Sequence, residues 1–188
     1  MDICILKFEQ AGFKKIRKDT VRWQSDTGFY GWVGLNQGLH KDFLRINPFF
    51  GIHCEQIERF CCKMEGRKYN RAVATIALHM GEVAPEEDTI VFTRNEAIEP
   101  EAQRLVDLYI TYAVPFYNTH QSYEKLLPYL LEKVDILGGY PESVASAYFL
   151  MGQPEKAKQF TEDFLKLEEE YFIDFAKPFL DCLRLVSR

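Results

Sequence analysis

The sequence predicts an α+β fold: an N-terminal helix and an antiparallel sheet of about four to five strands, followed by about four to five C-terminal helices that include one repeat-like helical hairpin. Two observations lead to this prediction. Over residues 14–78, short segments rich in β-branched and aromatic residues alternate with polar turns. From Glu101 onward, apolar residues recur at helical spacing. Because no Gly/Ser-rich linker separates the halves, we expect a single compact domain over 1–188, with a helix-plus-sheet portion at 1–98 and a helical portion at 99–188. Two loosely joined domains are the alternative.

The first helix and the strands are predicted in chain order from short patterns. The segment DICILKFEQAGF indicates a short amphipathic helix that ends near Ala11, because Gly12 is a natural stop. Four strands are expected in TVRWQS, GFYGWVGLNQG, FLRINPFFGIHC and RAVATIALHM, with Asp26 to Gly28 as the clearest hairpin turn. The run QIERFCCKMEG fits a helix through Ile57 and Phe60 or a continuation of the strand, and because it is short we expect a strand or a mixed element there. TIVFT is a last extended stretch after a Pro-acidic loop.

The C-terminal helices follow from apolar spacing and from capping residues. EAQRLVDLYITYAVP predicts a helix with Pro100 in its first turn and an end at Pro115. SYEKLLPYLLEKVDILGG predicts a helix capped by Ser122, in which Pro128 implies a kink or a late start and Gly138-Gly139 mark the end. The remaining helices are expected in PESVASAYFLM, PEKAKQFTEDFLKLEEEYF and AKPFLDCLRLV.

The stretch AYFLMGQPEKAKQF predicts a turn between two packed helices. Gly152 suits the position after a helix end and Pro154 suits the first turn of the next helix. Small side chains at Ala145 and Ala157 let the helices approach closely. Repeat architectures need about three or more units, and no second copy occurs, so we interpret the stretch as one helical hairpin.

Charge is divided unevenly along the chain. Residues 1–80 carry 13 Lys and Arg against 8 Asp and Glu, whereas residues 81–188 carry 10 against 20, and the formal net charge is −5. The acidic part is a plausible surface for a basic partner. The cluster KKIRKDTVR, followed by Trp23, interleaves cations with an aromatic residue as nucleic-acid patches do. Solvated charges explain it equally well, and the acidic remainder makes nucleic acid an unlikely partner.

The sequence predicts a cytoplasmic protein with no membrane partner. No apolar run approaches the roughly 18 to 20 residues that a transmembrane helix needs, and Asp2 and Glu9 interrupt the pattern of a signal peptide. The five cysteines form no C-x-x-C pair. We therefore expect small buried thiols in a reducing compartment, with vicinal Cys61 and Cys62 as the only redox candidates.

No motif of known chemistry occurs, and we expect no catalytic residue, no cofactor and no metal site. The four histidines, His40, His53, His79 and His120, fall in four different predicted elements without metal-binding spacing. His120, in the polar loop YNTHQSYEK, is best explained as a helix cap. The catalytic alternative is a small enzyme of unknown reaction with a pocket between sheet and helices, using His120 or His53 with a nearby carboxylate.

Two acidic segments, APEED and KLEEEYFIDF, are candidate contact surfaces for a protein partner. A solvated helix face is the ordinary explanation of such charges. The functional alternative is a patch that meets basic groups, with Tyr171 and Phe172 as adjacent apolar anchors. The candidate partner-binding residues are Glu86, Glu87, Asp88, Glu168, Glu169, Glu170 and Tyr171.

The order of AGFKKIRKDTVRW, GWVGLNQG, LRINPFFGI and LVDLYITYAVPFYNTHQSYEKLL resembles a family of uncharacterised bacterial cytosolic domains with a Gly-Phe-Lys-Lys corner after the first helix. The resemblance covers about residues 3–131. Some members look like antitoxins or immunity proteins encoded near secreted toxins, which implies a binding function and no catalytic residue. The extra C-terminal helices depart from the shorter members.

We therefore expect a non-catalytic protein-binding module, and the resemblance implies an immunity protein that neutralises a basic toxin domain by direct binding. The alternatives are the small enzyme described above and a homo-oligomeric or peptide-binding scaffold. The oligomeric state is left open by the sequence.

Overall fold

The computed structural model describes residues 1–87, 89–93, 97–134, 140–167 and 170–186. These residues confirm the α+β class, with an N-terminal helix, a six-stranded antiparallel sheet and seven further α-helices. The chain forms two compact units that interleave along the sequence. Unit 1 contains Met1–His53 and Arg71–Gln121, and unit 2 contains Cys54–Asn70 and Ser122–Arg188. The expectation of a single domain divided near residue 98 stays a prediction.

Unit 1 is built on the sheet. Its strands are β1 (Lys14–Arg17), β2 (Thr20–Trp23), β3 (Phe29–Leu39), β4 (Phe43–Cys54), β5 (Ile76–His79) and β6 (Ile90–Thr93). The order is β1-β2-β3-β4-β5, and β6 also pairs with β4. β6 pairs with residues 43–46 of β4 and β5 with residues 49–52, so the two short strands share one edge of the long one. The turn expected before β3 is present, with Gly28 at φ +82°.

Three helices belong to unit 1: α1 (Asp2–Gln10), α3 (Ile98–Leu108) and α4 (Val114–Thr119). α1 ends where Gly12, at φ +93°, turns the chain into β1. The expectation that Pro115 halts the helix of residues 101–115 was wrong. A π-helical turn at Tyr109–Ala113 joins α3 to α4, and Pro115 lies in the first turn of α4, where its missing N–H costs little.

The core of unit 1 lies between these helices and one face of the sheet. Tyr109 and Tyr117 are fully buried, and each hydroxyl donates a hydrogen bond of 2.9 Å to a strand carbonyl, of Phe49 and Trp32 respectively. The ring of Phe8 from α1 meets the ring of Tyr109 edge to face at 5.1 Å. Satisfied hydroxyls let these large rings fill the core without an unpaired polar atom.

Unit 2 is helical and contains α2 (Glu55–Met64), α5 (Tyr123–Lys133), α6 (Pro141–Leu150), α7 (Pro154–Leu165) and α8 (Glu170–Val186). The expectation of a strand or mixed element at α2 was wrong. Ile57, Cys61 and Met64 are buried at helical spacing, and Glu55 accepts a hydrogen bond from Arg59 across one turn. These local helical interactions outweigh the shortness of the run.

The helix α5 begins where the sequence predicts and continues through its proline. The hydroxyl of Ser122 caps it by accepting from the amide of Lys125. Pro128 lies inside the helix, so the start is not delayed. The predicted end at Gly138 and Gly139 lies outside the described residues.

The predicted hairpin is present as α6 and α7. The amide of Gly152, at φ +70°, donates to the carbonyl of Phe149, and the amide of Gln153 donates to that of Tyr148. This pair of hydrogen bonds is a Schellman motif. Ala145 and Ala157 are both fully buried. The helix expected to run on from α7 to Phe172 instead ends at Leu165, and α8 begins at Glu170.

Candidate functional site

The predicted acidic loop of unit 1 is partly neutralised within its own unit. Glu86 is exposed, but the carboxylate of Glu87 pairs with Arg104. Arg104 also pairs with Glu101 at 3.0 Å. Asp88 lies outside the described residues. Of the two acids described in this loop, Glu86 alone has no such ion pair, so the loop offers a partner less negative charge than its sequence suggests.

The second acidic segment places two predicted residues at the surface of unit 2. Glu170 opens α8 and is exposed, and Tyr171 is 57% exposed. Glu168 and Glu169 lie outside the described residues. Phe172 is 1% exposed and packs edge to face against Phe164 at 5.0 Å, so its predicted role as a surface anchor was wrong. Adjacent helical residues point about 100° apart, which sends one ring outward and the next into the core.

A groove of about 420 Å³ lies along α7 and α8 in the same unit. Its floor contains Leu180 and Leu183, and acidic side chains of Glu155 and Glu162 line it from α7. Lys158 and Arg184 also line the groove. Such a mixture of apolar floor and charged rim is typical of protein-contact surfaces.

Unit 1 carries a second, more apolar groove of about 230 Å³. Leu39 is 85% exposed at its side, and Phe43 and Ile98 are also partly exposed. The alternation of side chains along the strand did not indicate whether Leu39 lies at the surface or in the core. Leu39 is the last residue of β3, and its side chain lines the groove together with residues of α1 and α3.

All four histidines are engaged by neighbouring groups. The ring of His120 lies within 2.8 Å of the Phe116 carbonyl at the end of α4, which confirms its role as a helix cap. His53 is fully buried, and its Nδ1 lies 2.6 Å from the carbonyl of Val73. His79 accepts a hydrogen bond from the Gly81 amide, and His40 stacks on Phe43. In the two histidines considered as catalytic bases, His120 and His53, the Nδ1 atom is engaged by a backbone carbonyl, and neither residue lines the two grooves described above.

The vicinal cysteines point to different neighbours and are both free thiols. The Sγ atom of Cys61 lies 3.2 Å from the hydroxyl of Ser146, and burial raises the pKa of its thiol well above the usual value. Arg67 donates to the Sγ atom of Cys62 at 2.9 Å, but burial still raises the pKa of that thiol. Thiols held protonated are poor nucleophiles, so this pair lacks the property of a redox centre.

Titratable side chains gather around the start of α6 in unit 2. Burial raises the pKa of Glu142 from its ordinary 4.5 to about 7, its own backbone amide lowers it, and Glu65 raises it while Arg67 opposes. Burial is the main cause that raises the pKa of Tyr140, Glu142 raises it next, and Glu58 in α2, which is 4% exposed, raises it further. The spacing of these acids in sequence gave no sign of the cluster, because it depends on the packing of α2 against α6.

The exposed cations of the predicted basic cluster lie on the β1–β2 hairpin. Lys14, Lys15, Arg17 and Lys18 are exposed, whereas Arg22 is half-buried. The cluster therefore has two parts, a solvated one and a shielded one.

Within the described ranges, no group of His, Cys, Asp and Glu side chains is arranged to hold a metal ion. None of the helices in that part of the chain is long and apolar enough to cross a membrane. No protein-family model, curated protein or solved structure matches the chain.

Proposed function

We propose that this chain is a non-catalytic protein-binding module, and more specifically an immunity protein that neutralises a bacterial toxin domain by direct binding. The observation that carries the proposal is the exposed Tyr171 beside Glu170 at the start of α8. A large ring 57% exposed on an acidic segment combines the two properties of an interface anchor.

Each property has a separate physical task. Negative charge attracts a basic surface and raises the association rate, especially at low salt. The tyrosine ring supplies apolar area with little loss of side-chain entropy, so it slows dissociation. The groove along α7 and α8 is a separate candidate contact surface on the same unit, with two acids and two cations in its lining. The apolar groove of unit 1 supports binding in general, and the described residues that line it include no Asp or Glu.

The enzyme alternative has less support. His120 and His53 were its expected bases, and both bond to backbone carbonyls. The scaffold alternative predicts self-association, which light scattering of the purified chain measures directly.

The proposal is tested with the purified product of the neighbouring open reading frame, used as an inactive variant, and kinetic binding measurements. We expect Tyr171→Ala to raise the dissociation constant about 10-fold or more, mainly through faster dissociation. We expect Glu170→Lys to slow association several-fold at low salt and less at high salt.

Glu132→Lys is the matched control, because Glu132 is an exposed acid on α5 of the same unit. It makes the same charge change away from α8 and should leave association nearly unchanged. Equal slowing by both reversals would assign the effect to net charge. Unaltered binding by Tyr171→Ala and Glu170→Lys would refute the α8 surface as the interface.

A further inference from the structure

The half-buried Arg22 lies among aromatic residues on one face of the sheet of unit 1. Strand pairing places it opposite Trp32 of β3 and opposite Lys14 of β1. Because successive strand side chains alternate between faces, Tyr30 and Trp32 share the face of Arg22. The residue between them, Gly31, faces the other way, where the ring of Tyr117 from α4 covers it.

Among the described residues, the guanidinium of Arg22 has an aromatic neighbour and no ion-pair partner. Its central carbon lies 4.1 Å from the centroid of the Tyr30 ring. Its Nε and Nη1 atoms are shielded from solvent and, among the described residues, have no hydrogen-bond partner. A shielded charge without a partner is costly, and cation–π attraction offsets only part of that cost. Arginine in such a position ordinarily holds a carboxylate or phosphate through two parallel N–H donors.

The surroundings of Arg22 supply further positive charge and little negative charge. The hairpin of residues 14–23 contains five Lys or Arg side chains and a single acid, Asp19. The carboxylate of Asp19 already has a neighbouring donor, because its Oδ1 accepts a hydrogen bond of 3.2 Å from the hydroxyl of Thr20. An anion arriving at this hairpin is therefore attracted by several cations and repelled by one carboxylate.

We propose that Arg22 is the centre of a phosphate-binding site in unit 1. Arg22 is half-buried as a whole, so its side chain connects the shielded position with the surface. Rotation about its outer bonds presents the guanidinium to an incoming phosphate, which can accept from the parallel donors Nε and Nη2, with Lys14 across the strands as a second cation. The phosphate belongs either to free inorganic phosphate or to a nucleotide, whose base can stack on the ring of Tyr30. The site is independent of the α8 surface and of the function proposed for it.

The test is a titration of the full chain with inorganic phosphate, followed through the NMR signal of the Arg22 Nε–H group, which Arg22→Lys identifies by removing it. We expect a saturable shift of this signal that sodium chloride of equal ionic strength does not produce. A tenfold excess of phosphate over its dissociation constant should raise the melting temperature of unit 1 by about 3 to 5 °C.

Arg22→Met keeps the length of the side chain and removes the charge, so phosphate should no longer raise its melting temperature. Lys15→Met removes one exposed charge from the same hairpin and should keep most of the phosphate effect. If Arg22→Met also melts well below the parent chain without phosphate, the NMR titration of the parent decides the question. An Arg22 signal that does not move, or that moves equally in chloride, overturns the proposal.

Adenosine monophosphate is the second probe and separates the two sources. Tighter binding of this nucleotide than of phosphate, lost in Tyr30→Ala, supports the site and assigns it to nucleotides. Equal binding of both probes supports the site and assigns it to free phosphate.

Discussion

At the scale of single residues, two glycines of β3 let aromatic rings lie directly on the strand. A Cβ atom at Gly31 would lie 2.2 Å from the Tyr117 ring, and one at Gly34 would lie 2.1 Å from the Trp32 ring. Trp32 holds its position by donating from Nε1 to the Ala72 carbonyl at 2.8 Å. The absence of a side chain at Gly31 and at Gly34 therefore lets one aromatic ring pack against each face of β3.

Gly31→Ala should destabilise unit 1 by about 1 to 3 kcal/mol, because the new methyl group overlaps a fully buried ring that cannot retreat without losing its hydrogen bond to Trp32. Urea unfolding followed by tryptophan fluorescence measures the change. Gly38→Ala is the control in the same strand, since its Cβ would meet a single side-chain atom, of His40, at 3.5 Å. We expect a change within about 0.5 kcal/mol for that variant. Equal effects of both variants would contradict the role given to Tyr117.

Single residues were predicted well where a local rule sets their role and poorly where packing sets it. His120 was predicted as a cap because the cap depends on the preceding helix alone. Phe172 was placed at the surface and is in the core, because its direction depends on where α8 begins. Arg22 could not be separated from its neighbouring cations, since its shielding arises from contacts with β3.

At the scale of secondary structure elements, the α6–α7 hairpin has the most complete local explanation. Gly152 adopts the left-handed conformation, and a Cβ atom there would meet no atom within 4 Å. Its substitution therefore tests backbone conformation without a steric clash.

Gly152→Ala should cost about 1 kcal/mol of unfolding free energy, because alanine is disfavoured at positive φ. Gly152→Asn should cost less, because asparagine tolerates this conformation. Thermal unfolding followed by circular dichroism compares the two variants with the parent chain. An alanine variant as stable as the asparagine variant would show that the turn can rearrange.

Elements whose ends are marked by capping, glycine or proline residues were predicted, and elements without such residues at their ends were not. Pro154 and Gly152 define the hairpin from sequence. The π-helical turn before Pro115 could not be predicted from the proline alone. A proline is compatible both with the end of a helix and with the first turn of a new helix that follows a π-helical turn. α2 was missed because its short run fits two periodicities, and its buried face is fixed by contact with α6 and α8.

At the scale of the whole molecule, the charge of unit 2 depends on the half-buried Glu142. The folded unit holds a proton on this carboxyl up to about pH 7, whereas the unfolded chain releases it near pH 4.5. The folded state thus binds more protons in that window, so stability falls as pH rises through it.

We expect the unfolding free energy of unit 2 to decrease by up to about 3 kcal/mol between pH 4.5 and pH 7 through this group. Glu142→Gln should remove this slope and be more stable than the parent chain at pH 8. Glu155→Gln is the matched control, because Glu155 also follows a helix-opening proline but is exposed. Parallel pH profiles of the parent and Glu142→Gln, measured by urea unfolding, would contradict the shift.

The interleaving of the two units has a consequence for synthesis on the ribosome. Residues 54–70 are the first part of unit 2 to be synthesised. Residues 71–121 of unit 1 must then be synthesised before α5, the next helix of unit 2. At about 5 to 20 residues per second, that interval lasts roughly 3 to 10 seconds. During it, the apolar face of α2, with Ile57 and Cys61, has none of the helices that later cover it. Nascent α2 therefore exposes an apolar face throughout this interval, during which a chaperone that covers it would prevent aggregation.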